Sequence, residues 1–304
     1  MSRLYIIGNG FDLLHKLPTK FDPDFKNIAE KNEVISQFWS LYSSYGDEIW
    51  SDFENILGKP DFNSLEEIFG NYYPNYMSDY ESDRDGIISV AEESGKLEQS
   101  LEEFAIQAEK SIDQTNAQEK LLNEFRKDDL FITFNYTHML EKLYNIQKEK
   151  ICHIHGGVSK EDGVLILGFP EYLPEKYLYD VRGKGRPPYR EQTVEEYLEE
   201  MSKAVDRWDY YVHTAFTRIV ELAKSFHKEP QIELMKHFLA DREIGEIVIR
   251  GHSCAIDFPY FEYLANKYPT VNWLFYSFDE ATDNNINLLT DRYAIRNSKI
   301  VKER

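Results

Sequence analysis

Six short apolar runs, rich in β-branched side chains, punctuate the chain: Leu4–Ile7, Leu130–Phe134, Ile151–Ile154, Val164–Leu167, Glu246–Ile249 and Val271–Tyr276. Their apolar positions are largely contiguous, a pattern that suits strands covered on both faces better than half-exposed ones. Several runs end in Gly, Asn, His or Ser, and helical patterning follows some of them. Alternation of buried strand and helix predicts a parallel sheet with helices on both faces.

Between the first two runs, about residues 20–128 read as a mainly helical insertion. Phe38, Leu41 and Tyr42 share one helix face, Ile49, Phe53 and Ile56 another, and Leu97, Leu101, Phe104 and Ala108 repeat at helical spacing. A second mainly helical insertion spans about 169–243. Its centre, Tyr197–Ala223, has apolar residues at 198, 201, 205, 208, 212, 216 and 219, while 170–192 holds several Pro and Gly residues and reads as a loop. The fold class expected is therefore α/β, a Rossmann-like parallel sheet in a single domain, 1–304, carrying two helical insertions.

Composition narrows the possibilities. With 304 residues, 42% of them hydrophobic, the chain can bury a sizeable core. A formal net charge of -19 disfavours nucleic acid and anionic lipid as partners. Arg182, Lys184, Arg186 and Arg190 form a local basic cluster, read as a solvated loop or as a phosphate or nucleic-acid contact. The two cysteines, Cys152 and Cys254, lie in apolar runs with no CxxC pair, which predicts reduced core residues and no zinc knuckle. The chain enters a strand at once and has no apolar stretch of membrane-spanning length, so a cytoplasmic protein without membrane association is expected.

Four motifs at strand ends carry candidate chemistry. Gly8-Asn9-Gly10-Phe11-Asp12 follows the first strand, where glycines and a helix N-terminus suit a phosphate, or simply make a tight turn. Thr133-Phe134-Asn135-Tyr136-Thr137 ends the second; Asn135 can bond a ribose hydroxyl or a water, or cap a helix beginning near Thr137. In His153-Ile154-His155-Gly156-Gly157 both imidazoles share a face if the strand continues, offering a general base, two metal ligands or structural histidines. With no third ligand in sight, no metal is expected. Gly251-His252-Ser253, followed by Asp257, offers a close backbone approach and a hydroxyl for a ribose or phosphate, or a loop with a helix cap.

In this order the motifs resemble the sirtuin superfamily, which has G-A-G-x-S and I-P-T-F where this chain has Gly8–Asp12 and Leu17-Pro18-Thr19. It has T-Q-N-x-D at Thr133–Thr137, a catalytic His-Gly at His155-Gly156, and G-T-S at Gly251–Ser253. The AbiH family of bacterial abortive-infection proteins is closer. Its I-I-G-N-G-F-D-L and H-x-L-P-T match Ile6–Leu13 and His15–Thr19; its W-x-D-F-E matches Trp50, Asp52, Phe53 and Glu54. F-N-Y-T followed by L-E matches Phe134–Thr137 and Leu140-Glu141, and H-x-H-G and G-H-S complete the pattern.

The resemblance implies a sirtuin-like NAD site in an anti-phage effector that hydrolyses NAD to nicotinamide and ADP-ribose. Asn135 and His155 would be catalytic; Gly8, Asn9, Gly10, Phe11, Asp12, Thr133, Gly156, Gly251 and Ser253 would bind NAD. A homo-oligomer or a defence-system partner protein, and a phage-derived trigger, are implied as well. Thr137 replaces the sirtuin Asp that helps bind the nicotinamide carboxamide, a role Asp12 or Asp52 could take over, and the four zinc cysteines of sirtuin deacetylases are absent. Three other readings stay open: an NAD- or ADP-ribose-sensing module without turnover, a metal-dependent nuclease or other phosphoesterase built on Asp12, Asp52, Glu54 and His155, and a scaffold whose helical insertions drive assembly, compatible with either.

Overall fold

In a computed structural model of the chain, residues 2–32, 42, 46, 48–51, 53–57, 96–168 and 228–303 are described. Six strands form one sheet: β1 (Ser2–Ile7), β2 (Leu130–Thr133), β3 (Ile151–His153), β4 (Ile244–Arg250), β5 (Asn272–Ser277) and β6 (Ser298–Lys302). Their order is β3-β2-β1-β4-β5-β6, and every pairing is parallel. This is the Rossmann order. β1 and β4 are neighbours whose onward connections depart to opposite sides, so a crevice is expected at their carboxyl ends.

The contiguous apolar runs are explained by two separate cores, one on each face. Tyr5 and Ile7 of β1 join Phe131 and Val248 on one face. There they meet Phe11 of α1 (Asn9–Leu14), Ile112 after α2 (Lys96–Ser111), Leu121 of α3 (Glu119–Glu124) and Leu140 and Tyr144 of α4 (Met139–Tyr144). Leu4 and Ile6 point the other way and join Ile132, Ile247, Ile249 and Phe275. That face is covered by Met235 of α5 (Ile232–Phe238), Phe261 and Leu264 of α6 (Phe258–Lys267) and Ile286 and Leu289 of α7 (Glu280–Arg292). His15 belongs to the first core: its ring lies 2.8 Å (Nδ1) from the Phe11 carbonyl and 2.5 Å (Nε2) from the Tyr144 hydroxyl.

Five of the six predicted runs are strands. Val164–Leu167 is not: Val164 is 85% exposed, and the segment folds back so that Ile166 N–H donates to the carbonyl of His155 at 2.9 Å. The sixth strand is β6, an edge strand whose residues are exposed or half-buried and which carries Lys299 and Lys302. Lysines on an edge discourage further strand pairing, and their polarity hides the strand from a search for apolar runs.

The chain divides into two compact units. The first comprises Met1–Phe25, Leu101–Ile166 and Glu229–Arg304 and contains the sheet. The second comprises Lys26–Ser100 and Leu167–Lys228. In the second, short helices span Lys26–Lys31, Glu48–Ser51 and Phe53–Leu57, with Trp50 and Phe53 stacked and Lys228 paired with Glu54 at 3.0 Å. Ile49, Phe53 and Ile56 are buried as their spacing predicts, and so are Leu97, Leu101, Phe104 and Ala108. Phe38, Leu41, Asp52, the basic cluster at 182–190 and the helical pattern of 197–223 lie outside the described residues. Among the described residues no helix is long and apolar enough to cross a membrane. Cys152 and Cys254 are free, buried thiols, each pushed up to about 12 by burial, which leaves them unreactive.

Candidate functional site at the carboxyl edge of the sheet

The glycine turn after β1 is in direct contact with the turn after β4. Gly10 N–H donates to the Gly251 carbonyl at 2.7 Å and Gly8 N–H to the Arg250 carbonyl at 3.0 Å. Gly251 has φ +68, and a Cβ there would lie 2.1 Å from the Phe11 nitrogen. Side chains on Gly8 or Gly10 would likewise run into Gly251 or His252. Phe11 N–H donates to Gly8 O at 2.9 Å, so three amides of the turn have protein acceptors. The Phe11 ring is buried in the core, and Asn9 is exposed, its Nδ2 donating to the Thr19 carbonyl at 2.6 Å. Ser253 is also exposed; its Oγ accepts weakly from Ala255 N–H at 3.4 Å.

Beneath this turn lies a buried carboxyl. Asp12, on the first turn of α1, is 1% exposed. Its Oδ1 accepts from Asn135 Nδ2 at 2.6 Å and its Oδ2 from Thr137 Oγ1 at 2.8 Å. Sheet register explains the meeting. Ile7 is aligned with Thr133, so residues five beyond the one and four beyond the other reach the same place. Thr133 Oγ1 accepts from Asn135 N–H at 3.1 Å and fixes the backbone from which Asn135 reaches Asp12. Desolvation raises the Asp12 carboxyl to about 7, against the lowering effect of the Thr137 and Asn135 hydrogen bonds. Asn135 does not cap a helix: α4 begins after His138, and Asn135 Oδ1 is buried with no hydrogen-bond partner.

The two motif histidines part company, because β3 stops at His153 and the chain turns at Ile154 and His155. The shared face expected from a continuing strand is therefore not formed. His155 packs edge-on to Phe134 and Tyr260, with Nε2 3.6 Å from Asp257 Oδ1. His252 approaches the other oxygen of Asp257 at 3.5 Å through Nε2. Its Nδ1 accepts from Cys254 N–H at 3.0 Å, so the proton of a neutral His252 sits on Nε2, facing that carboxylate. Asp257 occupies the N-cap position of α6, yet its side chain makes no cap bond and lies between the two imidazoles instead. Gly156 turns the chain after His155; a Cβ there would strike the Val164 carbonyl at 2.1 Å.

His153 goes elsewhere: its Nε2 is 2.9 Å from Glu141 Oε1. Close by is a group that reading the motifs missed. His138 lies between Glu109 Oε1 at 3.0 Å and Asp162 Oδ2 at 2.7 Å. Nothing in the local sequence flags Glu109, on a helix, or Asp162, beside Glu161 in a turn, whereas His138 follows the Phe134–Thr137 motif directly. Of the residues named for a nuclease centre, Asp12 and His155 are in the sheet unit, Glu54 pairs with Lys228, and Asp52 lies outside the described residues.

Strand order, parallel pairing and the polar residues at the carboxyl ends of β1 to β4 define a Rossmann-like α/β protein with its candidate site on that edge. The bacteriophage abortive infection AbiH family matches residues 4–277, and the chain belongs to that family. Membership places it among the proteins of phage abortive infection. No curated protein and no solved structure matches it.

Proposed function

We propose that the chain is an abortive-infection effector that binds NAD at the carboxyl edge of the sheet and hydrolyses its nicotinamide–ribose bond. The observation that carries this reading is the Asp12–Asn135–Thr137 contact. Thr137 stands where the resembling family has a carboxylate, and Asp12 brings a carboxyl to that hydroxyl from another element. Asn135 Oδ1, buried and unpaired, suits a ribose hydroxyl as donor.

In the reaction, nicotinamide leaves with the bonding electron pair, water adds to the anomeric carbon, and one proton is released. Asn135 would orient a ribose hydroxyl or the water, and His155, flanked by Asp257, would accept the proton. A positioned base contributes on the order of 100- to 10,000-fold. Asp12, with a carboxyl near 7, would face the carboxamide in either protonation state.

Purified protein is incubated with NAD, with and without lysate of phage-infected cells, and nicotinamide and ADP-ribose are followed by chromatography. Release should be lost in Asn135→Ala and His155→Ala while both variants keep their fold. Full activity in both would sink the assignment. The engaged amides of Gly8, Gly10 and Phe11 favour one second reading, a sensor that binds NAD or ADP-ribose without turnover. NAD-dependent stabilisation with no product under either condition would support it.

A further inference from the structure

Beyond the Asp12 contact, three elements converge at the end of β3. His138 precedes α4, His153 ends β3, and Asp162 closes a short turn over Lys160–Asp162. One ring nitrogen of each histidine and one oxygen of Asp162 all lie within 4.8 Å of one another. The approach of Asp162 is built in: a Cβ on Gly157 would sit 3.0 Å from Asp162 Oδ2. His153 and the Asp162 side chain are more than nine-tenths buried.

Each imidazole also has its outer nitrogen held by a carboxylate. His138 Nδ1 is 3.0 Å from Glu109 Oε1, which leaves Nε2 facing Asp162. His153 Nε2 is 2.9 Å from Glu141 Oε1, which leaves Nδ1 buried with no hydrogen-bond partner. The carboxylate behind His153 fixes its ring and tautomer, as around metal-ligating histidines in general; His138, held between two carboxylates, would release its Nε2 proton when a metal displaces it. Lys148 reaches Asp162 Oδ1 at 3.1 Å and leaves Oδ2 turned to the histidines.

We propose that His138, His153 and Asp162 form a binding site for one divalent transition-metal ion of the zinc class, with Glu109 and Glu141 as the carboxylates that orient the two imidazoles. Two imidazoles and one carboxylate suit zinc, and three protein ligands leave a coordination position open. The sequence offered His153 without partners; Asp162 and His138 join it only through the turn after β3 and the start of α4.

The test uses the full chain, stripped with chelator and dialysed, with Zn2+ and Co2+ as probes and no NAD present, so it is independent of the reading of Asp12. One equivalent of Zn2+ should bind and raise the melting temperature, and Co2+ should give visible absorption bands. Asp162→Asn and His138→Gln should weaken Zn2+ on the order of 100-fold, and Glu109→Gln, which keeps all three ligands, roughly 10- to 100-fold. Absence of Zn2+ binding and of Co2+ bands in the unaltered chain would overturn the proposal whatever the variants do. So would binding that is unchanged in all three variants, which would assign the ion to some other surface.

Discussion

Asp12 offers the sharpest check, because burial outweighs the two hydrogen bonds that would lower its carboxyl. The carboxyl titrates near 7 in the folded chain against an ordinary 3.8. The folded state therefore holds a proton that the unfolded state has released, and stability must fall as pH rises between those values. The contribution is fully present below 3.8 and gone once the pH has risen through about 7. From pH 5 to pH 8 only the two units below the folded value count, at about 1.4 kcal/mol each, for a loss of nearly 3 kcal/mol.

Asp12→Asn removes the charge and keeps the shape. Its amide nitrogen can donate to the Thr137 hydroxyl and its oxygen can accept from Asn135, the two groups that now bond the carboxyl. The variant should therefore lose the slope. Urea denaturation of both proteins at pH 5, 6, 7 and 8 isolates the effect, because titration of the histidines cancels in the difference. Asp12→Asn should be more stable than the unaltered chain at pH 8, and that advantage should shrink by about 3 kcal/mol at pH 5. Parallel stability curves for the two proteins would refute the reasoning and mean that water reaches the Asp12 carboxyl in the folded state.

Two further perturbations test the frame around the site. Gly251→Ala combines φ +68 with a backbone clash at 2.1 Å, so it should cost more than about 3 kcal/mol and fail to reach the normal melting temperature; a shift within error would mean that the β1 and β4 turns are not in contact. Arg250, 1% exposed, pairs with Glu303 and with Glu124 and stacks 3.4 Å over Tyr276. Arg250→Met should cost about 3–5 kcal/mol by taking the guanidinium from two carboxylates, and adding Glu124→Gln and Glu303→Gln should recover most of it; equal stability of the single and triple variants would argue against the pairing.

The sheet was legible where burial is symmetrical. β1, β2, β4 and β5 sit between two cores, so nearly every position must be apolar, and the runs at Leu4, Leu130, Ile247 and Trp273 betray them. The same rule misfires where apolar residues are exposed, as at Val164, and is blind to an edge strand such as Ser298–Lys302. Candidate residues at strand ends were legible because the fold class fixes where crevices form. What each side chain touches was not. Asp12 and Thr137 are 125 residues apart, and only the alignment of Ile7 with Thr133 joins them. His153 and His155 are two apart yet diverge, because one strand ends a residue too soon for alternation to hold. Glu109 and Asp162 carry no local signal at all; their partner is a histidine that only the folded chain brings near.

If the proposed NAD site is right, the hydrogen bond from Gly10 to Gly251 would act as a latch where β1 and β4 end side by side. A diphosphate that is to take the Gly10 amide must first part the two turns, and each such amide is bonded to protein until it does. The measured affinity of such a ligand is then its affinity for the parted form, reduced by the fraction of molecules in which the turns have separated. On the proposed reading, such a chain would stay quiet at a constant concentration of ligand, and anything that pried the two turns apart would raise its occupancy without touching the ligand itself.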